Sequence, residues 1–438
     1  MKIKFSIVFL FIFCLVSKSQ EGFEMEANKK KIIIPFKLID NLIFIPVTVN
    51  GENLTFLLDT GTEETVLFRL EDQQLSLINV EKIRIKGYDS SVYLEALKST
   101  NNILSTAGYS DSNHDIYIIL DQSFNLSSQA GIPVNGIIGY PFFKNYLIEI
   151  NYEKEKIYIY PKQSKIYKKL NKKYSSYSIV LERNKPFLSA KIGVKGKEIK
   201  AKLLLDSGNS NALWLYNTAS NPITIPTKNL DDYLGRGFSG EIYGKRARID
   251  YLDLNEFKFL QPIAAFPDSQ ITQEKQEVQE REGTLGDEIL KRFSVFWDYP
   301  NSKIYLKRNG NFNSPFHYNM SGIEIQHDGL EWVKEEELIN KNASITLDVA
   351  QDKLVNFKYK FSLKPVFKIM SVRKNSPAAA CGLIKDDVIL TINKDKVYRY
   401  SLQELNEILK SEEGKWITLE IKRNNKTYVF KFQLQTML

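Results

Sequence analysis

Two short segments of the sequence place an aspartate where it could do acid-base chemistry. Residues 57–62 read Leu-Leu-Asp-Thr-Gly-Thr and residues 204–209 read Leu-Leu-Asp-Ser-Gly-Asn. In each, an apolar pair carries the chain out of a core and small residues then turn it, which would hold the aspartate at the floor of a cleft. Two such carboxylates that meet share one proton, because they do not both ionise readily. One is then a base and the other an acid, which suits the activation of a water molecule.

The two segments belong to an internal repeat. Asp59 and Asp206 are 147 residues apart (206 minus 59), and the segments Gly136–Gly139 and Gly283–Gly286 have the same offset (283 minus 136). The register then holds without a gap through a Lys-Ile-Tyr triplet in each copy. One Asp-Thr/Ser-Gly triplet is a weak signal, but two in matching contexts are not chance. The repeat predicts two similar lobes, related by a pseudo-twofold axis that brings Asp59 and Asp206 together.

The local pattern in both copies predicts β-strands. Short runs of β-branched or aromatic residues, bounded by Asn, Gly and Pro, recur along the chain. They include residues 32–36, 44–49, 117–120 and 157–160. Helices are expected to be short, at 141–146 and 287–293, just past each Gly-x-x-Gly segment. Each copy is therefore predicted to be a small β lobe that forms half of a pseudo-dimer.

A third region follows a breaker-rich linker at 309–315 and has a different pattern. Residues 376–383 predict a turn and a short helix, and residues 401–410 predict an amphipathic helix with Ser401 as N-cap and Glu404 three positions later. We expect an all-β pair of lobes followed by a small α+β domain. The expected boundaries are 1–19 for a signal peptide, 20–165 for lobe 1, 166–312 for lobe 2 and 313–438 for the last domain.

The first 19 residues have the features of a secretory signal peptide. Two lysines precede an apolar run at 5–16, and Ser17 and Ser19 are the small residues that a signal peptidase reads. The alternative is an uncleaved anchor, but the run is about half as long as a membrane-spanning helix needs. We therefore expect an exported protein, in the periplasm, the cell envelope or the medium. Its mature chain would begin at Gln20 and contain no transmembrane segment.

Composition excludes several classes of protein. The chain has 438 residues, with 60 Lys and Arg, 52 Asp and Glu, three His and two Cys. It is too apolar for a disordered protein and too poor in cysteine for a disulfide-stapled scaffold. His114, His317 and His327 are far apart and lack a motif that suggests a metal site or a Ser-His-Asp hydrolase, so neither is expected, nor any cofactor. The net charge of +8 is spread along the chain, so no nucleic-acid partner is expected.

The two aspartate segments, each followed by an apolar-apolar-Gly segment, resemble the active-site motifs of aspartic peptidases of the pepsin and retropepsin type. The resemblance covers about residues 30–310. It implies a two-lobed, acid-protease-like pair of β-barrels in one chain, with Asp59 and Asp206 as the catalytic dyad. The residues implied to support the active-site loops are Thr60, Gly61, Thr62, Ser207, Gly208, Asn209, Gly139 and Gly286.

The same resemblance assigns roles within this set. The hydroxyls of Thr60 and Ser207 would interlock the two loops, and the two glycines at 139 and 286 would pack behind them. Thr62 is expected to donate a hydrogen bond to Asp59 and favour its ionised form. Asn209 stands where the family usually has Ser, Thr or Ala, so its amide is expected either to donate likewise to the second aspartate or to crowd the dyad.

The third region resembles a PDZ domain of bacterial envelope proteins, through Ser-Pro-Ala-x-x-x-Gly-Leu at 376–383 and the strand at 387–393. The whole chain is similar to aspartyl protease family proteins with a C-terminal PDZ domain in Bacteroidetes-type bacteria. The resemblance implies an exported aspartic-type endopeptidase that binds a peptide or protein substrate in the interlobe cleft. The PDZ-like domain would regulate it or recruit a partner or substrate. The alternative is a weak or inactive protease-fold protein that binds peptides or scaffolds the envelope.

Overall fold

Alternating apolar residues fold both halves of the repeat into β-sheets. The structure is a computed structural model and describes residues 22–68, 75–86, 93–120, 125–217, 222–237, 240–268, 281–338 and 357–438. The predicted signal peptide at 1–19 lies outside these residues. The predicted fold class is confirmed, since the lobes are built of several sheets with few, short helices and a small α+β domain follows them. In the part of the chain that the structure describes, no helix is long and apolar enough to cross a membrane.

Lobe 1 folds around a sheet whose centre carries the first aspartate segment. Its strands are β1 (Glu24–Met25), β2 (Ile32–Pro35), β3 (Lys37–Ile39), β4 (Leu42–Val49), β5 (Glu52–Leu58), β6 (Thr65–Leu67), β7 (Val80–Lys86), β8 (Tyr93–Thr106), β9 (Tyr109–Ile119), β10 (Gly136–Ile138), β11 (Leu147–Asn151) and β12 (Lys156–Tyr160). Helices α1 (Leu126–Ala130) and α2 (Tyr140–Phe143) follow β9 and β10. Strand β10 lies between β5, to which it is parallel, and β6, to which it is antiparallel. Asp59 directly follows β5.

Lobe 2 repeats this arrangement. Its strands are β13 (Ser175–Ser178), β14 (Val180–Glu182), β15 (Lys185–Val194), β16 (Lys197–Asp206), β17 (Leu213–Leu215), β18 (Asn229–Gly237), β19 (Gly240–Arg248), β20 (Tyr251–Asp253), β21 (Lys258–Leu260), β22 (Ile263–Pro267), β23 (Arg281–Gly286), β24 (Phe293–Asp298) and β25 (Lys303–Arg308). Helix α3 (Ile166–Lys173) precedes them, and α4 (Asp287–Leu290) and a 3-10 turn (Tyr299–Asn301) lie among them. Strand β23 runs parallel to β16 and antiparallel to β17. Helix α4 is shorter than the predicted 287–293, because Phe293 begins β24 and pairs with β25.

A six-stranded sheet joins the two lobes, in the order β13-β25-β24-β11-β12-β2. At its centre Ile148 of β11 pairs with Trp297 of β24, and Ile150 pairs with Val295. Val295 and Trp297 are the repeat equivalents of Ile148 and Ile150, at an offset of 147 residues (295 minus 148). The pairing is therefore self-complementary, as a twofold axis between the two strands requires.

The third region forms a sheet in the order β26-β27-β28-β30-β31, covered by short helices. Its elements are β26 (Ile323–Leu338), β27 (Phe357–Val372), α5 (Pro377–Cys381), β28 (Val388–Ile392), β29 (Asp395–Lys396), a 3-10 turn (Val397–Arg399), α6 (Leu402–Leu409), β30 (Trp416–Arg423) and β31 (Lys426–Gln433). Ser401 caps α6, and its hydroxyl and Glu404 form the predicted capping box. Leu230 and Ile263 of lobe 2 belong to the apolar core of this domain. The third region is therefore packed directly against lobe 2.

Candidate active site

The two aspartates leave their sheets at equivalent points. The Asp59 N–H donates to the carbonyl of Ile138 in β10 at 2.9 Å. Asp206 is the last residue of β16 and lies opposite Gly286 in the parallel pairing with β23. Each aspartate therefore stands at the end of a strand that is fixed on both sides, and both side chains keep partial contact with solvent. Carboxylates held in this way have little freedom to move apart.

The hydroxyls of Thr60 and Ser207 interlock the two loops. The N–H of Thr60 donates to Ser207 Oγ at 3.0 Å, and the N–H of Ser207 donates to Thr60 Oγ1 at 3.0 Å. Each hydroxyl also donates to the main chain of the opposite strand, Thr60 to the Leu205 carbonyl at 2.8 Å and Ser207 to the Leu58 carbonyl at 2.9 Å. Both side chains are fully buried. The two N–H groups and the two hydroxyls at this crossing therefore all have acceptors. Because the side chains are fully buried, water does not compete for these four hydrogen bonds between the lobes.

Glycines let the two loops approach closely. A Cβ atom on Gly61 would lie 2.8 Å from Asp206 Cγ, and a Cβ atom on Gly208 would lie 2.4 Å from Asp59 Cγ. Each carboxyl group thus rests against the glycine of the other loop, and the two are close enough for the negative charge of Asp59 to raise the pKa of Asp206. Any larger residue at either position would push the aspartates apart.

The two aspartates differ in their hydrogen-bond donors. Asp59 accepts from the Gly61 N–H and from the Thr62 hydroxyl, each at 2.7 Å. Asp206 accepts from the Gly208 N–H at 2.9 Å. Burial, and next the negative charge of Asp59, raise the pKa of Asp206 well above its ordinary value, and the positive charge of Arg281 opposes the shift. The raised pKa favours the protonated form of Asp206, whereas Asp59 is the carboxyl group with the larger number of hydrogen-bond donors.

Asn209 accounts for part of this difference. Its side-chain oxygen accepts from the N–H and from the side-chain amide of Asn211, both at 3.0 Å. Its main-chain N–H donates to the Asp206 carbonyl at 3.2 Å, but among the described residues its side chain forms no hydrogen bond with the Asp206 carboxyl group, so the expected counterpart of the Thr62 contact is not made. The sequence difference between Thr62 and Asn209 thus becomes a difference in how the two carboxylates are stabilised.

Gly139 and Gly286 lie directly behind the loops, as the resemblance implies. A Cβ atom on Gly139 would be 2.0 Å from the Thr62 carbonyl oxygen, and one on Gly286 would be 2.2 Å from the Asn211 carbonyl oxygen. The residues that follow these glycines hold the loops by main-chain hydrogen bonds: the Tyr140 N–H donates to the Thr62 carbonyl, and the Asp287 N–H to the Asn209 carbonyl. Only glycine leaves room for this contact.

Sequence reasoning missed Asp287, which is fully buried just behind the second loop. Tyr152 donates its hydroxyl hydrogen to Asp287 Oδ1 at 2.9 Å, and Oδ2 has no partner among the described residues. Burial raises the pKa of Asp287 well above its ordinary value; the Tyr152 hydrogen bond opposes the shift, and the charge of Asp206 adds to it. The signal was available, since Asp287 directly follows Gly286 where lobe 1 has the uncharged Tyr140.

His114 also has partners that its sequence context does not reveal. Its Nδ1 lies 2.7 Å from Asp111 Oδ2, and its Nε2 lies 2.7 Å from the Thr65 hydroxyl. Asp111, His114 and Thr65 are thus ordered like the carboxylate, the base and the hydroxyl nucleophile of a hydrolase. Thr65 is fully buried, however, and Phe23 packs against the imidazole with 5.4 Å between ring centroids. No substrate can reach this hydroxyl, so the three residues brace the lobe 1 core.

The comparisons with known proteins concern the third region. A family model described as PDZ domain matches residues 368–423. A search of curated proteins found no significant match to the chain. The protein is therefore a two-lobed all-β protein that carries a PDZ domain, and this domain supports a role in protein interaction or regulation. Among the described residues, no group of His, Cys, Asp and Glu is arranged to hold a metal ion.

Proposed function

We propose that the protein is an aspartic-type endopeptidase in which Asp59 and Asp206 activate a water molecule. The observation that carries this proposal is the pair of carboxyl groups held together by the interlocked loops, and the raised pKa of Asp206 supports its role as the acid. Asp59 takes a proton from the water as the oxygen attacks the peptide carbonyl carbon, and Asp206 gives its proton to the carbonyl oxygen. The tetrahedral intermediate then breaks at the C–N bond as the proton on Asp59 passes to the amide nitrogen and Asp206 takes back a proton from one hydroxyl of the intermediate, which leaves a carboxyl product and restores both aspartates.

The substrate would be an extended polypeptide that lies across both loops. The PDZ domain would recruit or regulate, because one buried and one partly exposed ion pair attach it to the two lobes. Arg373 of the PDZ domain donates to Asp232 of lobe 2 at 3.0 Å, and Lys410 pairs with Asp40 of lobe 1 at 3.0 Å. A domain fixed to both lobes can influence how a substrate enters the space between them.

The test compares the mature chain with Asp59→Asn and Asp206→Asn variants on a random peptide library, from acidic to slightly alkaline pH. Cleavage products are identified by mass spectrometry. We expect the wild type to cleave at acidic pH and either variant to lose at least about a thousandfold in rate. Asp231→Asn is the matched control, because Asp231 is 76% exposed on lobe 2. Cleavage that persists equally in both dyad variants would overturn the proposal.

A peptide-binding protein without turnover is the second candidate, and the PDZ domain is the observation that favours it. It predicts that peptides bind to the full chain and are released intact at every pH. Calorimetric titration of an enriched library peptide, followed by mass spectrometry of the same sample, separates this candidate from the enzyme.

A further inference from the structure

Strands β26 and β27 continue beyond the core of the PDZ domain as a two-stranded ribbon. At their inner ends Ile325 and Phe367 belong to the apolar core of the domain, and Phe367 and Lys368 pair with β28. The outer ribbon, residues 330–338 with residues 357–365, pairs only with itself within the part of the chain that the structure describes. A two-stranded ribbon is at most marginally stable alone, so a packing partner would stabilise this one.

One face of the outer ribbon is apolar and exposed. Residues directly opposite each other in an antiparallel pair point to the same face, and so does every second residue along each strand. Trp332 lies opposite Leu363, and Leu330 lies opposite Pro365. The exposed fractions of the large apolar residues on this face are 58% for Leu330, 70% for Trp332, 48% for Tyr359, 61% for Phe361 and 48% for Leu363. A contiguous apolar patch of this size on a soluble protein marks an interaction site.

The charges of the outer ribbon balance one another. It contains four glutamates and four lysines, and the register places Glu331 opposite Lys364 on the face away from Trp332. On the apolar face, the ammonium nitrogen of Lys334 lies 3.6 Å from the centre of the Tyr359 ring, in a cation–π contact within the ribbon. An anionic lipid surface attracts segments with an excess of Lys and Arg, which this ribbon lacks. The face is therefore suited to an apolar protein surface.

The exposed area matches what two copies of the chain need for an interface. A large apolar side chain buries about 200 Å², so the five exposed fractions amount to roughly 600 Å² per copy. Two copies stacked face to face would bury about 1,200 Å², at the lower limit of stable protein interfaces. The two faces have the same chemistry, and a twofold axis gives each copy the same contacts. Charged side chains along both strands disfavour the alternative of pairing edge to edge.

We propose that the apolar face of the outer ribbon is the interface of a homodimer, in which two ribbons stack as a small two-layer β-sandwich. Packed β-sheets lie about 10 Å apart, and the side chains of the two layers interdigitate. Trp332 and Phe361 are the most exposed aromatic residues of the face and would be its main contacts. The interface does not involve Asp59 or Asp206, so this inference does not depend on the proposed peptidase function.

The first experiment measures the mass of the full mature chain by sedimentation velocity over a range of concentrations. A monomer is expected at about 0.1 µM and a dimer at about 50 µM, because an interface of this size suits a micromolar dissociation constant. Trp332→Lys and Phe361→Lys each place a charge in the interface and should raise the dissociation constant at least about tenfold. Both side chains are exposed in the monomer, so the variants should unfold at the same temperature as the dilute wild type.

Two controls separate the interface from general effects of charge. Glu331→Gln also adds one positive charge, but on the opposite face of the ribbon. Leu260→Lys changes a residue of lobe 2 that is as exposed as Trp332. Both should dimerise like the wild type. A wild type that stays monomeric throughout, or a dimer that persists in both ribbon variants, would overturn the inference.

The second experiment tests whether another partner covers the face. In a Trp416→Phe variant, Trp332 is the only exposed tryptophan, so quenching of its fluorescence by acrylamide reports on the face. Quenching should be strong in the dilute monomer and fall in step with the dimer fraction, and vesicles of phosphatidylglycerol and phosphatidylcholine should not change it. Protection in the dilute monomer would show that a segment of the same chain, such as residues 339–356, covers the face. Protection by vesicles would show that the face docks on lipid, and either result would overturn the inference.

Discussion

Thr60 and Ser207 lie in different lobes and each binds the main chain of the other's loop. Each side-chain oxygen accepts from the opposite N–H at 3.0 Å and donates to an opposite carbonyl at 2.8 or 2.9 Å. The residues are 147 positions apart in the sequence (207 minus 60), yet the contact is symmetric. Asp59 and Asp206 directly precede these two residues in the same loops. The crossing therefore fixes the separation of the two aspartates.

The interlocked hydroxyls should contribute measurably to stability. Thr60→Val keeps the shape of the side chain but leaves the Leu205 carbonyl and the Ser207 N–H buried without partners. Each lost partner costs about 1–3 kcal/mol, so the free energy of unfolding should fall by about 2–6 kcal/mol in urea titrations. Thr60→Ser keeps the hydroxyl and should cost far less. Equal losses in the two variants would show that packing, and not the hydrogen bonds, supports the crossing.

The donor that Asp206 lacks can be introduced. Asn209→Thr places a hydroxyl where Thr62 stands in the other loop, and a hydrogen bond from it would favour ionised Asp206 and lower its raised pKa. Because the proposed peptidase reaction needs a proton on Asp206, the alkaline limb of kcat/KM against pH should move to lower pH. Asn209→Ala loses the Asn211 contact without gaining a donor, and is the control. An unchanged alkaline limb in Asn209→Thr would contradict the assignment of the proton to Asp206.

Stability should depend on pH through Asp206. Its pKa is raised in the folded state above the ordinary 3.8, so its stabilising contribution is complete below that value and is lost as pH rises through the raised pKa. Asp206→Asn does not titrate. Its melting temperature relative to wild type should therefore increase as pH rises, which a series of thermal scans would measure. Asp231→Asn, exposed on the same lobe, should follow wild type; a constant difference for Asp206→Asn would refute the raised pKa.

Tyr152 supplies the hydrogen bond that the buried Asp287 accepts from the other lobe. Tyr152→Phe should cost about 1–3 kcal/mol in the free energy of unfolding, because Asp287 then has no donor on either oxygen. The cost should increase with pH. Without the Tyr152 hydrogen bond the pKa of Asp287 in the folded state is raised further, so at higher pH ionisation of this carboxyl favours the unfolded state more strongly. Replacing both groups, in Tyr152→Phe with Asp287→Leu, should restore most of the loss. A double variant less stable than Tyr152→Phe alone would show that Asp287 has another stabilising contact.

The two salt bridges that attach the PDZ domain should differ in strength. The side chains of Arg373 and Asp232 are 3% and 6% exposed, whereas those of Lys410 and Asp40 are 30% and 28% exposed. Arg373→Met removes one of the two guanidinium partners of the buried Asp232 and leaves Arg246, so it should cost about 1–3 kcal/mol, whereas Lys410→Met should cost less than about 1 kcal/mol. Hydrogen exchange at β18 and β26 would report loss of the attachment. Equal protection in both variants would show that the apolar contact around Leu230 holds the domain.

Much of the fold could be predicted because its signals are local or repeated. The alternation of apolar residues predicts strands, and Ser401 with Glu404 predicts the start of helix α6 within one residue. The constant offset between Asp59 and Asp206 predicts that their loops are equivalent, since two copies of one unit bury the same face. The capping and strand patterns are contained in a few neighbouring residues, so no knowledge of distant contacts is needed.

The remaining features depend on side chains that meet only in three dimensions. The sequence by itself determined the two lobes, the equivalent aspartate loops and the PDZ-like region. Only the tertiary structure decided that Asn209 turns to Asn211 and that Asp287 is buried beside Tyr152. The physical reason is that burial and pairing set the free energy of a charge, and both depend on which distant segments surround it.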